Sequence, residues 1–381
     1  MSWMTVKLAD VSDNIQTGPF GSQLHQSDYS EEGIPVVMPK DLINGKISEA
    51  SIARVDQIHV QRLFRHKIEE GDILYSRRGD VGRCAFAGKK EAGWLCGTGC
   101  LRVSIDRKKA NPQFVFYQLQ KPETVGWVVK HAVGATMLNL NTSILSEVPL
   151  EIPSLDQQNR IVETLSAYDD LIETNRRQIK LLEEAAQRLY KEWFVDLRYP
   201  GYENVPVVDG VPEGWKKKKV TDLLQIKYGK DHKALDNGEI PVYGSGGVMR
   251  KVKPILYSGQ SVLIPRKGSL NNILYVEGDF WTIDTMFYSV PLVQNIAKYC
   301  YLFLSRLDMY SFNIGAAVPS MTVNILDGID ILEPSERVLV LFEAKAGVLF
   351  DRITHLTRQN ETAAEARDRL LPKLMSGEIA V

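Results

Sequence analysis

The feature that most constrains this chain is a long helical segment in its middle. From Ser154 to Phe194 the sequence contains neither Gly nor Pro, and apolar residues recur at spacings of three and four. This is the heptad pattern of a helix that packs along its length against another helix. Ser154 and Gln157 form a capping box directly after Pro153, which predicts where the helix begins. At ~1.5 Å per residue, the segment predicts a helix on the order of 60 Å long.

One face of this helix carries a continuous apolar seam. Its residues are Ile161, Leu165, Tyr168, Ile172, Asn175, Ile179, Leu182, Ala186, Leu189 and Trp193. The seam continues for the whole length of the segment, so it predicts a partner helix rather than one local patch of core. A long helix in the middle of a chain separates what folds before it from what folds after it. We therefore expect a folded region on each side.

A second helical segment, Ser335–Met375, is a near copy of the first. From Gly134 onward the two regions align without a gap in one constant register, so that Pro153-Ser154 matches Pro334-Ser335. The regions ahead of the two helices match more loosely and in a different register, in which Trp3 matches Trp215. The chain is therefore predicted to be a duplicated unit, in the order lobe, helix, lobe, helix.

The second helix has its own seam, which is less regular than the first. Its residues are Phe342, Ala346, Leu349, Ile353, Leu356, Asn360, Ala363, Arg367, Leu370 and Leu374. Arg367 interrupts the apolar stripe, and Pro372 predicts that this helix ends or bends a turn earlier than its counterpart. If the two helices pair antiparallel, Asn175 faces Asn360. A buried polar pair of that kind fixes register at a cost in stability.

These elements predict an α+β fold with a pseudo-two-fold repeat, in which two mixed α/β lobes are separated by two long antiparallel helices forming a coiled coil. We place the first lobe at residues 1–153, the first helix at 154–198, a linker and the second lobe at 199–332, and the second helix at 333–381. Short segments within the lobes predict strands at Ile73–Ser76, Leu101–Ile105, Val262–Ile264, Ile273–Val276 and Thr285–Val290, and helices at Phe114–Leu119 and Tyr299–Leu307. The topology of the lobes does not follow from these segments.

The net charge of −1 hides an uneven distribution along the chain. Between residues 214 and 275 there are twelve Lys and Arg against four Asp and Glu, and between residues 62 and 109 there are twelve against six. The first long helix is mildly acidic. Two basic lobes therefore flank an acidic rod. A nucleic-acid partner explains this pattern, and an exposed lysine-rich surface explains it equally well.

Basic residues at turns between the predicted strands are the candidate DNA contacts, because side chains at turns can reach phosphates and groove edges. The candidates are Arg77, Arg78, Arg83, Lys89 and Lys90 in the first lobe, and Lys230, Arg250, Lys251, Lys253, Arg266 and Lys267 in the second. For any one of them a solvated surface position is as good an explanation as DNA contact. The sequence does not single out which of them touch bases.

No constellation of residues that carries catalysis is present in the sequence. The glycine-rich stretches at residues 97–99 and 244–247 lack the spacing of phosphate-binding loops, and Cys96 and Cys100 have no second Cys or His pair to complete a zinc site. We therefore expect no catalytic residue, no metal site and no cofactor in this chain. No run approaches the ~20 apolar residues of a membrane span, and four scattered cysteines favour a cytoplasmic location.

Four stretches carry a resemblance to a known family. They are TGPFGSQL (17–24), the segment from LNLNTSILSEVP to RLYKEWF (138–194), PEGW (212–215) and LLPKLMSGEI (370–379). With two diverged lobes, each followed by a near-repeated helix, the chain resembles the DNA-specificity (S) subunit of type I restriction–modification systems. The resemblance covers essentially the whole chain and is strongest in the helices.

The resemblance implies a function that composition and spacing do not. The lobes would be two target-recognition domains, each reading one half of a bipartite double-stranded DNA site. The helices would be two conserved spacer regions that set the distance between half-sites and dock methyltransferase (M) subunits, with two copies expected. Restriction (R) subunits would complete the complex. S-adenosylmethionine, ATP and magnesium are expected on those partners, and no membrane is involved.

Two other classes of protein remain compatible with the sequence. One is a non-catalytic coiled-coil scaffold whose basic lobes bind acidic protein partners. The other is the recognition half of a fused restriction–methylation enzyme. Preference for a defined bipartite duplex separates DNA recognition from the scaffold, and methyl transfer or cleavage by the purified chain alone would favour the fused enzyme.

Overall fold

The computed structural model describes residues 3–315 and 317–379, which form two units whose boundaries fall inside two long helices. The first unit holds the described residues up to Glu173 and from Asn360 onward, and the second unit is Thr174–Gln359. Each unit therefore combines one lobe with a part of each long helix.

The first lobe contains twelve strands and four α-helices of the described chain. The strands are β1 (Met4–Lys7), β2 (Ser12–Thr17), β3 (Tyr29–Ser30), β4 (Ile34–Val37), β5 (Leu42–Ile43), β6 (Lys46–Ile47), β7 (Ala53–Val55), β8 (Ile73–Ser76), β9 (Cys84–Phe86), β10 (Leu95–Cys96), β11 (Cys100–Ile105) and β12 (Pro149–Ile152). The helices are α1 (Gln57–Arg62), α2 (Pro112–Leu119), α3 (Pro122–His131) and α4 (Thr142–Ser146).

The strands of the first lobe pair in three main groups. Strand β1 pairs antiparallel with β12, a second sheet has the order β2-β11-β8-β9, and a third has the order β10-β4-β7-β3. All four residues of β8 are buried, which explains the apolar or aromatic character of Ile73, Leu74 and Tyr75. Helix α2 packs into the same core, and Asn111 caps it by accepting hydrogen bonds from two backbone N–H groups of its first turn.

The first long helix, α5 (Leu155–Tyr190), has 36 residues and continues into a π-helical turn at Lys191–Val195. Its predicted capping box is only half formed. The Gln157 N–H donates to Ser154 Oγ at 3.4 Å, but Gln157 Oε1 is buried without a hydrogen-bond partner. The glutamine side chain therefore does not return the bond that a capping box requires, and this part of the prediction is wrong.

The second lobe follows α5 and has fewer, longer strands. They are β13 (Val207–Val208), β14 (Val211–Pro212), β15 (Lys216–Lys219), β16 (Leu224–Tyr228), β17 (Asn237–Gly244), β18 (Gly247–Val252), β19 (Tyr257–Pro265), β20 (Leu274–Thr282), β21 (Met286–Pro291) and β22 (Asp330–Glu333). Its α-helices are α6 (Val220–Leu223), α7 (Ala297–Leu304) and α8 (Val323–Asp327). Strand β15 pairs antiparallel with β22, and a six-stranded sheet has the order β16-β21-β19-β20-β17-β18.

The second long helix, α9 (Glu336–Met375), has 40 residues and contains Pro372. The sequence predicts that Pro372 ends or bends this helix early. The early end is therefore wrong, and the bend stays a prediction. Proline cannot make the helical hydrogen bond of its missing N–H, and in the last turn that loss concerns one carbonyl group. The turn still closes beyond the proline, because the Ser376 N–H donates to the Pro372 carbonyl oxygen at 3.0 Å.

The lobes share a scaffold that the sequence did not reveal. In each lobe the first strand pairs with the strand that leads into the long helix, as β1–β12 and as β15–β22. Each lobe also contains three antiparallel neighbours, β2-β11-β8 in one and β16-β21-β19 in the other. The order β10-β4-β7 of the first lobe is matched by β20-β17-β18 of the second, each with a parallel pair followed by an antiparallel one, and β3 extends this sheet in the first lobe.

No residue of the predicted seams is exposed. Ile161, Leu165, Ile172, Asn175, Ala186, Trp193, Phe342, Ala346, Leu356, Ala363 and Leu374 are buried, and Tyr168, Ile179, Leu182, Leu189, Leu349, Ile353, Asn360, Arg367 and Leu370 are half-buried. In the second unit, Asn175 Nδ2 donates to Gln359 Oε1 at 2.9 Å. This bond goes to the residue before the predicted partner, and the Oδ1 atom of Asn360 is buried without a hydrogen bond.

Candidate nucleic-acid interface

A basic turn at residues 77–79 follows strand β8 in the first lobe. The Arg77 N–H donates to the Gly99 carbonyl oxygen at 2.8 Å, and the Arg77 carbonyl accepts from the Leu140 N–H at 2.8 Å. The Gly79 N–H donates to the Leu138 carbonyl oxygen at 3.0 Å. Backbone bonds therefore hold the turn between the start of β11 and the loop that precedes α4.

An aromatic ring lies beneath the first arginine of this turn. The Arg77 guanidinium carbon is 5.7 Å from the centroid of Phe20, whose side chain is 55% exposed. Gly18 brings this segment close to its neighbour, because a Cβ atom there would lie 1.9 Å from the Gly97 carbonyl oxygen. Only glycine fits such an approach. Arg78, the next residue of the turn, is exposed.

A second basic turn, at residues 266–268, has the same supports in the second lobe. The Arg266 N–H donates to the Thr285 carbonyl oxygen at 2.8 Å, and the Arg266 carbonyl accepts from the Met321 N–H at 2.9 Å. The Gly268 N–H donates to the Pro319 carbonyl oxygen at 2.9 Å. Backbone bonds on both sides therefore hold this turn as well.

The partners of the two turns are equivalent in the internal repeat. Pro319 and Met321 align with Leu138 and Leu140 of the first lobe, in the same ungapped register that aligns the two long helices. The backbone supports of the turns were therefore duplicated together with the helices.

The arginine of the second turn also lies over an aromatic ring. The Arg266 guanidinium carbon is 5.5 Å from the centroid of Tyr228, which is 55% exposed. Arg266 also donates to the Asp284 carbonyl oxygen at 3.1 Å. Gly229 is the counterpart of Gly18, since a Cβ atom there would lie 2.0 Å from the Ile283 carbonyl oxygen. The two lobes therefore present a matched arrangement of arginine, aromatic ring and glycine.

The other first-lobe candidates are exposed and in part neutralised. Arg83 forms an ion pair with Asp80 at 2.9 Å, and Lys90 forms one with Glu49. Lys89 is exposed. Such exposed pairs contribute little to stability and leave the cations available to a stronger anionic partner.

In the second lobe, one candidate arginine is held firmly and the candidate lysines are exposed. Arg250 donates to the Leu235 carbonyl oxygen and to Asn237 Oδ1, each at 2.8 Å, so its guanidinium is engaged within the protein. Lys251 and Lys253 each lie 3.7 Å from an acidic side chain. The remaining lysines, Lys230 and Lys267, are also exposed. The structure brings Arg266 and Lys267 together in one turn and places Arg250 on a separate hairpin.

The two aromatic residues, Phe20 and Tyr228, are not among the candidates that the sequence pattern indicates. Phe20 lies in the quoted stretch TGPFGSQL, and Tyr228 lies in the stretch YGK, where an aromatic residue adjoins glycine after a strand. That adjacency is a usable signal. It does not reveal which arginine lies over the ring, because Phe20 and Arg77 are far apart in sequence.

The described residues contain no cluster of three or more His, Cys, Asp and Glu side chains placed to bind a metal ion. All four cysteines are buried with free thiols. Burial raises the pKa of the Cys96 thiol to about 12. Metal ligation requires the thiolate, so this thiol is poorly suited to it. Among the same residues, no helix combines the length and the apolar character needed to cross a lipid bilayer.

Each lobe presents a basic turn held by equivalent backbone bonds, an arrangement that suits a protein with a polyanionic partner. A protein-family model described as the Type I restriction modification DNA specificity domain matches residues 1–184 and 212–336, and the two matched ranges fit the internal repeat. The chain belongs to this family. It is a DNA-recognition component of a type I restriction–modification system, and it is not the catalytic component.

Relatives resemble the chain over its whole length. The specificity subunit of the type I restriction enzyme MjaIX from Methanocaldococcus jannaschii is 26% identical over 415 residues, covering 100% of this chain and 94% of its own. The HindI specificity subunit from Haemophilus influenzae is 22% identical and covers 99% of both chains. The crystal structure of a type I restriction–modification S subunit from M. genitalium has a TM-score of 0.63 at 18% identity, covering 98% of this chain and 96% of that chain. This last similarity supports the fold.

Proposed function

We propose that this chain reads a bipartite double-stranded DNA sequence, with one half-site for each lobe. The observation that carries the proposal is the duplicated basic turn, in which Arg77 and Arg266 have the same backbone supports and the same kind of aromatic neighbour. The surrounding strands differ between the lobes, so the two lobes would read different bases. The other exposed candidates would add phosphate contacts, whereas Arg250 is engaged within its own lobe.

The proposal assigns residues 1–153 and 199–332 to two target-recognition domains, and residues 154–198 and 333–381 to two spacer helices. The helices would form an antiparallel coiled coil. Supporting contacts occur within each unit, since Asp169 pairs with Arg367 in the first and Asn175 pairs with Gln359 in the second. Between these two pairs the residue number rises from 169 to 175 along α5 and falls from 367 to 359 along α9, as expected for an antiparallel pair. At ~1.5 Å per residue, α5 would span about 54 Å, which exceeds one ~34 Å turn of duplex.

The partners in this proposal supply the chemistry. Two methyltransferase subunits would dock on the helices, and restriction subunits would join them. S-adenosylmethionine, ATP and magnesium would bind those partners, and this chain would contribute no catalytic residue. The assembly would work in the cytoplasm, where it meets DNA. Binding of one lobe to its half-site would raise the effective concentration of the other half-site for the second lobe. Two modest affinities would therefore combine into one high affinity.

The test begins with methylome sequencing of a host that expresses this chain with its cognate methyltransferase subunit. We expect methylated adenines at both ends of an interrupted sequence. Binding of the purified complex to that duplex should collapse when either half-site is scrambled. The control is a duplex in which only the spacer bases are changed, which should bind normally. Equal binding to all duplexes, or to none, would favour the protein scaffold.

The ruler role of the helices has its own test. Inserting one heptad at matched positions of α5 and α9 should lengthen the preferred spacer between half-sites, because ~1.5 Å of rise per residue adds about 10 Å. The control is the same insertion in α5 alone, which would break the register of the seams and weaken binding to every spacer. An unchanged spacer preference in the double insertion would refute the ruler role.

A further inference from the structure

Two half-sites of an asymmetric sequence differ in their bases but have a sugar–phosphate backbone of the same chemistry. Contacts to phosphates position a protein on DNA, whereas contacts to base edges determine sequence specificity. Residues that are the same in both lobes are therefore suited to contact the phosphates, which are the same in both half-sites. Residues that differ between the lobes are suited to contact the bases. This comparison rests on the proposed function and goes beyond it, because it separates positioning residues from reading residues.

We propose that Arg77 and Arg266 are duplicated, sequence-independent phosphate-binding sites, each held in place by the exposed ring of Phe20 or Tyr228. Base reading then falls to the parts of the lobes that differ. The order β10-β4-β7 of the first lobe is matched by β20-β17-β18 of the second, so the difference lies in the side chains on these strands and in strand β3 and helix α1, which the first lobe adds.

The geometry of each turn suits a phosphate. The guanidinium carbons lie 5.7 Å and 5.5 Å from half-exposed rings, which restricts the directions in which the planar guanidinium can present its donors. Backbone hydrogen bonds hold both sides of each turn. The Nε atom of Arg77 is buried without an acceptor, so the protein does not satisfy the whole group. Arginine is a donor that matches phosphate oxygens with two parallel bonds.

The aromatic ring reaches this place by different routes in the two lobes. Phe20 lies beyond the end of β2, whereas Tyr228 is the last residue of β16. The two positions do not align in the register that matches Trp3 with Trp215 at the lobe starts. The arrangement of ring and arginine is therefore present in both lobes although the sequence position of the ring is not. This favours a shared physical role over simple inheritance of a sequence.

The second basic residue of each turn supports the same interpretation. It is Arg78 in the first lobe and Lys267 in the second, and both are exposed. Within residues 3–315 and 317–379, no acidic side chain forms an ion pair with either. A phosphate forms an ion pair with arginine or lysine alike. A bidentate contact to a base edge, or a fixed stacking site, distinguishes the two residue types.

A docked methyltransferase copy at each lobe would also be common to both halves. The charge of the turns favours phosphate, since each presents two adjacent cations and one half-exposed ring. Protein docking is therefore retained as an outcome of the test.

The test uses the complex with its methyltransferase subunit and two probes of equal length, the duplex defined by methylome sequencing and a random-sequence duplex. We expect Arg77→Ala and Arg266→Ala each to weaken binding to both probes by the same factor, roughly tenfold near 0.1 M salt. Each should also lower the slope of log affinity against log salt by about 0.9. The ratio of specific to random binding and the methylated motif should stay unchanged.

Two further variants keep the test decisive. Arg160→Ala removes an exposed arginine from helix α5 and should leave the salt slope unchanged. Arg77→Lys keeps the charge and should retain the slope even if Arg77→Ala lowers stability. The inference is overturned if Arg77→Lys loses the slope, or if either alanine variant changes the base preferred at one position. It is also overturned if either alanine variant releases the methyltransferase subunit without weakening DNA binding by the chain. A wild-type complex with no duplex preference instead overturns the proposed function itself.

Discussion

The two units build the same core from different side chains. In the first unit Trp3, Phe114, Ile161 and Met375 belong to one hydrophobic cluster. In the second unit the equivalent positions are Trp215, Tyr299, Phe342 and Phe194, and they too share one cluster. The register of the helical repeat aligns Ile161 with Phe342 and Phe194 with Met375. An aliphatic pair in one unit is thus an aromatic pair in the other.

The two units have their polar contacts at different positions of the repeat. In the first unit Arg367 forms an ion pair with Asp169 at 2.6 Å, and Tyr117 donates to the same carboxylate at 3.0 Å. Burial, reinforced by Asp169, raises the pKa of Tyr117 well above its usual value. The equivalent positions in the second unit are Phe350 and Ala186, which line a cavity of about 180 Å³.

The second unit has a buried ion pair of its own at a different place. Lys298 is 3% exposed, pairs with Glu343 and lies 5.2 Å from the ring centroid of Tyr275. The same backbone scaffold therefore accommodates different side-chain chemistry in the two units. The position of Glu343 is occupied by Val162 in the first unit, and the positions of Asp169 and Arg367 are occupied by Phe350 and Ala186 in the second.

The largest effect is expected at the aromatic pair of the second unit. Phe342→Ala should cost about 3–5 kcal/mol of unfolding free energy, because a fully buried ring with an edge contact to Phe194 at 4.8 Å is lost. Its counterpart Ile161→Ala is the control and should cost about 2–4 kcal/mol. Urea unfolding with peptide-resolved hydrogen exchange reads the two units separately. A larger loss for Ile161→Ala would contradict the comparison.

The buried lysine of the second unit comes next. Lys298→Met should cost about 2–4 kcal/mol, because Glu343 then keeps a largely buried charge without its partner. The double variant Lys298→Met/Glu343→Gln should recover most of that loss. The same exchange experiment measures both. If the double variant is no more stable than Lys298→Met, packing rather than charge explains the site.

The ion pair of the first unit should matter less. Arg367 and Asp169 are 30% and 29% exposed, so solvent screens their attraction. Arg367→Met should cost about 1–2 kcal/mol. Arg369→Met is the matched control, since Arg369 pairs with Glu365 while 79% exposed, and it should cost less than about 0.5 kcal/mol. Equal losses in the two variants would show that partial burial of the Arg367–Asp169 ion pair adds no stability.

The smallest expected difference concerns the caps of two equivalent short helices. Asn141 caps α4 by accepting from the Ile144 N–H at 2.8 Å, whereas Thr322 makes no side-chain cap bond to α8. Asn141→Ala should therefore cost about 1 kcal/mol and Thr322→Ala a few tenths. Thermal midpoints measured at one scan rate distinguish them. A loss at Thr322 as large as that at Asn141 would indicate a cap formed in solution.

The parts of the fold that follow from local pattern could be predicted from the sequence. Ile73–Ser76 is a strand at the predicted residues, and both long helices are present because heptad spacing is a local property. The predictions that were wrong concern helix ends. Gln157 does not complete its capping box, Pro372 does not end its helix, and α7 ends at Leu304 rather than at the predicted Leu307. At such positions, contacts from distant segments outweigh local preference.

The sequence by itself determined the duplication, the two long helices and the alternation of lobes with helices, because periodicity and repeats are written along the chain. Only the tertiary structure decided which residues share a site. Phe20 lies under Arg77 and Tyr228 lies under Arg266 because strands distant in sequence pair edge to edge. Asn175 bonds Gln359 rather than its expected partner for the same kind of reason. The position of a side chain across a helix pair depends on register to within one residue, and a heptad pattern specifies register only to within a turn.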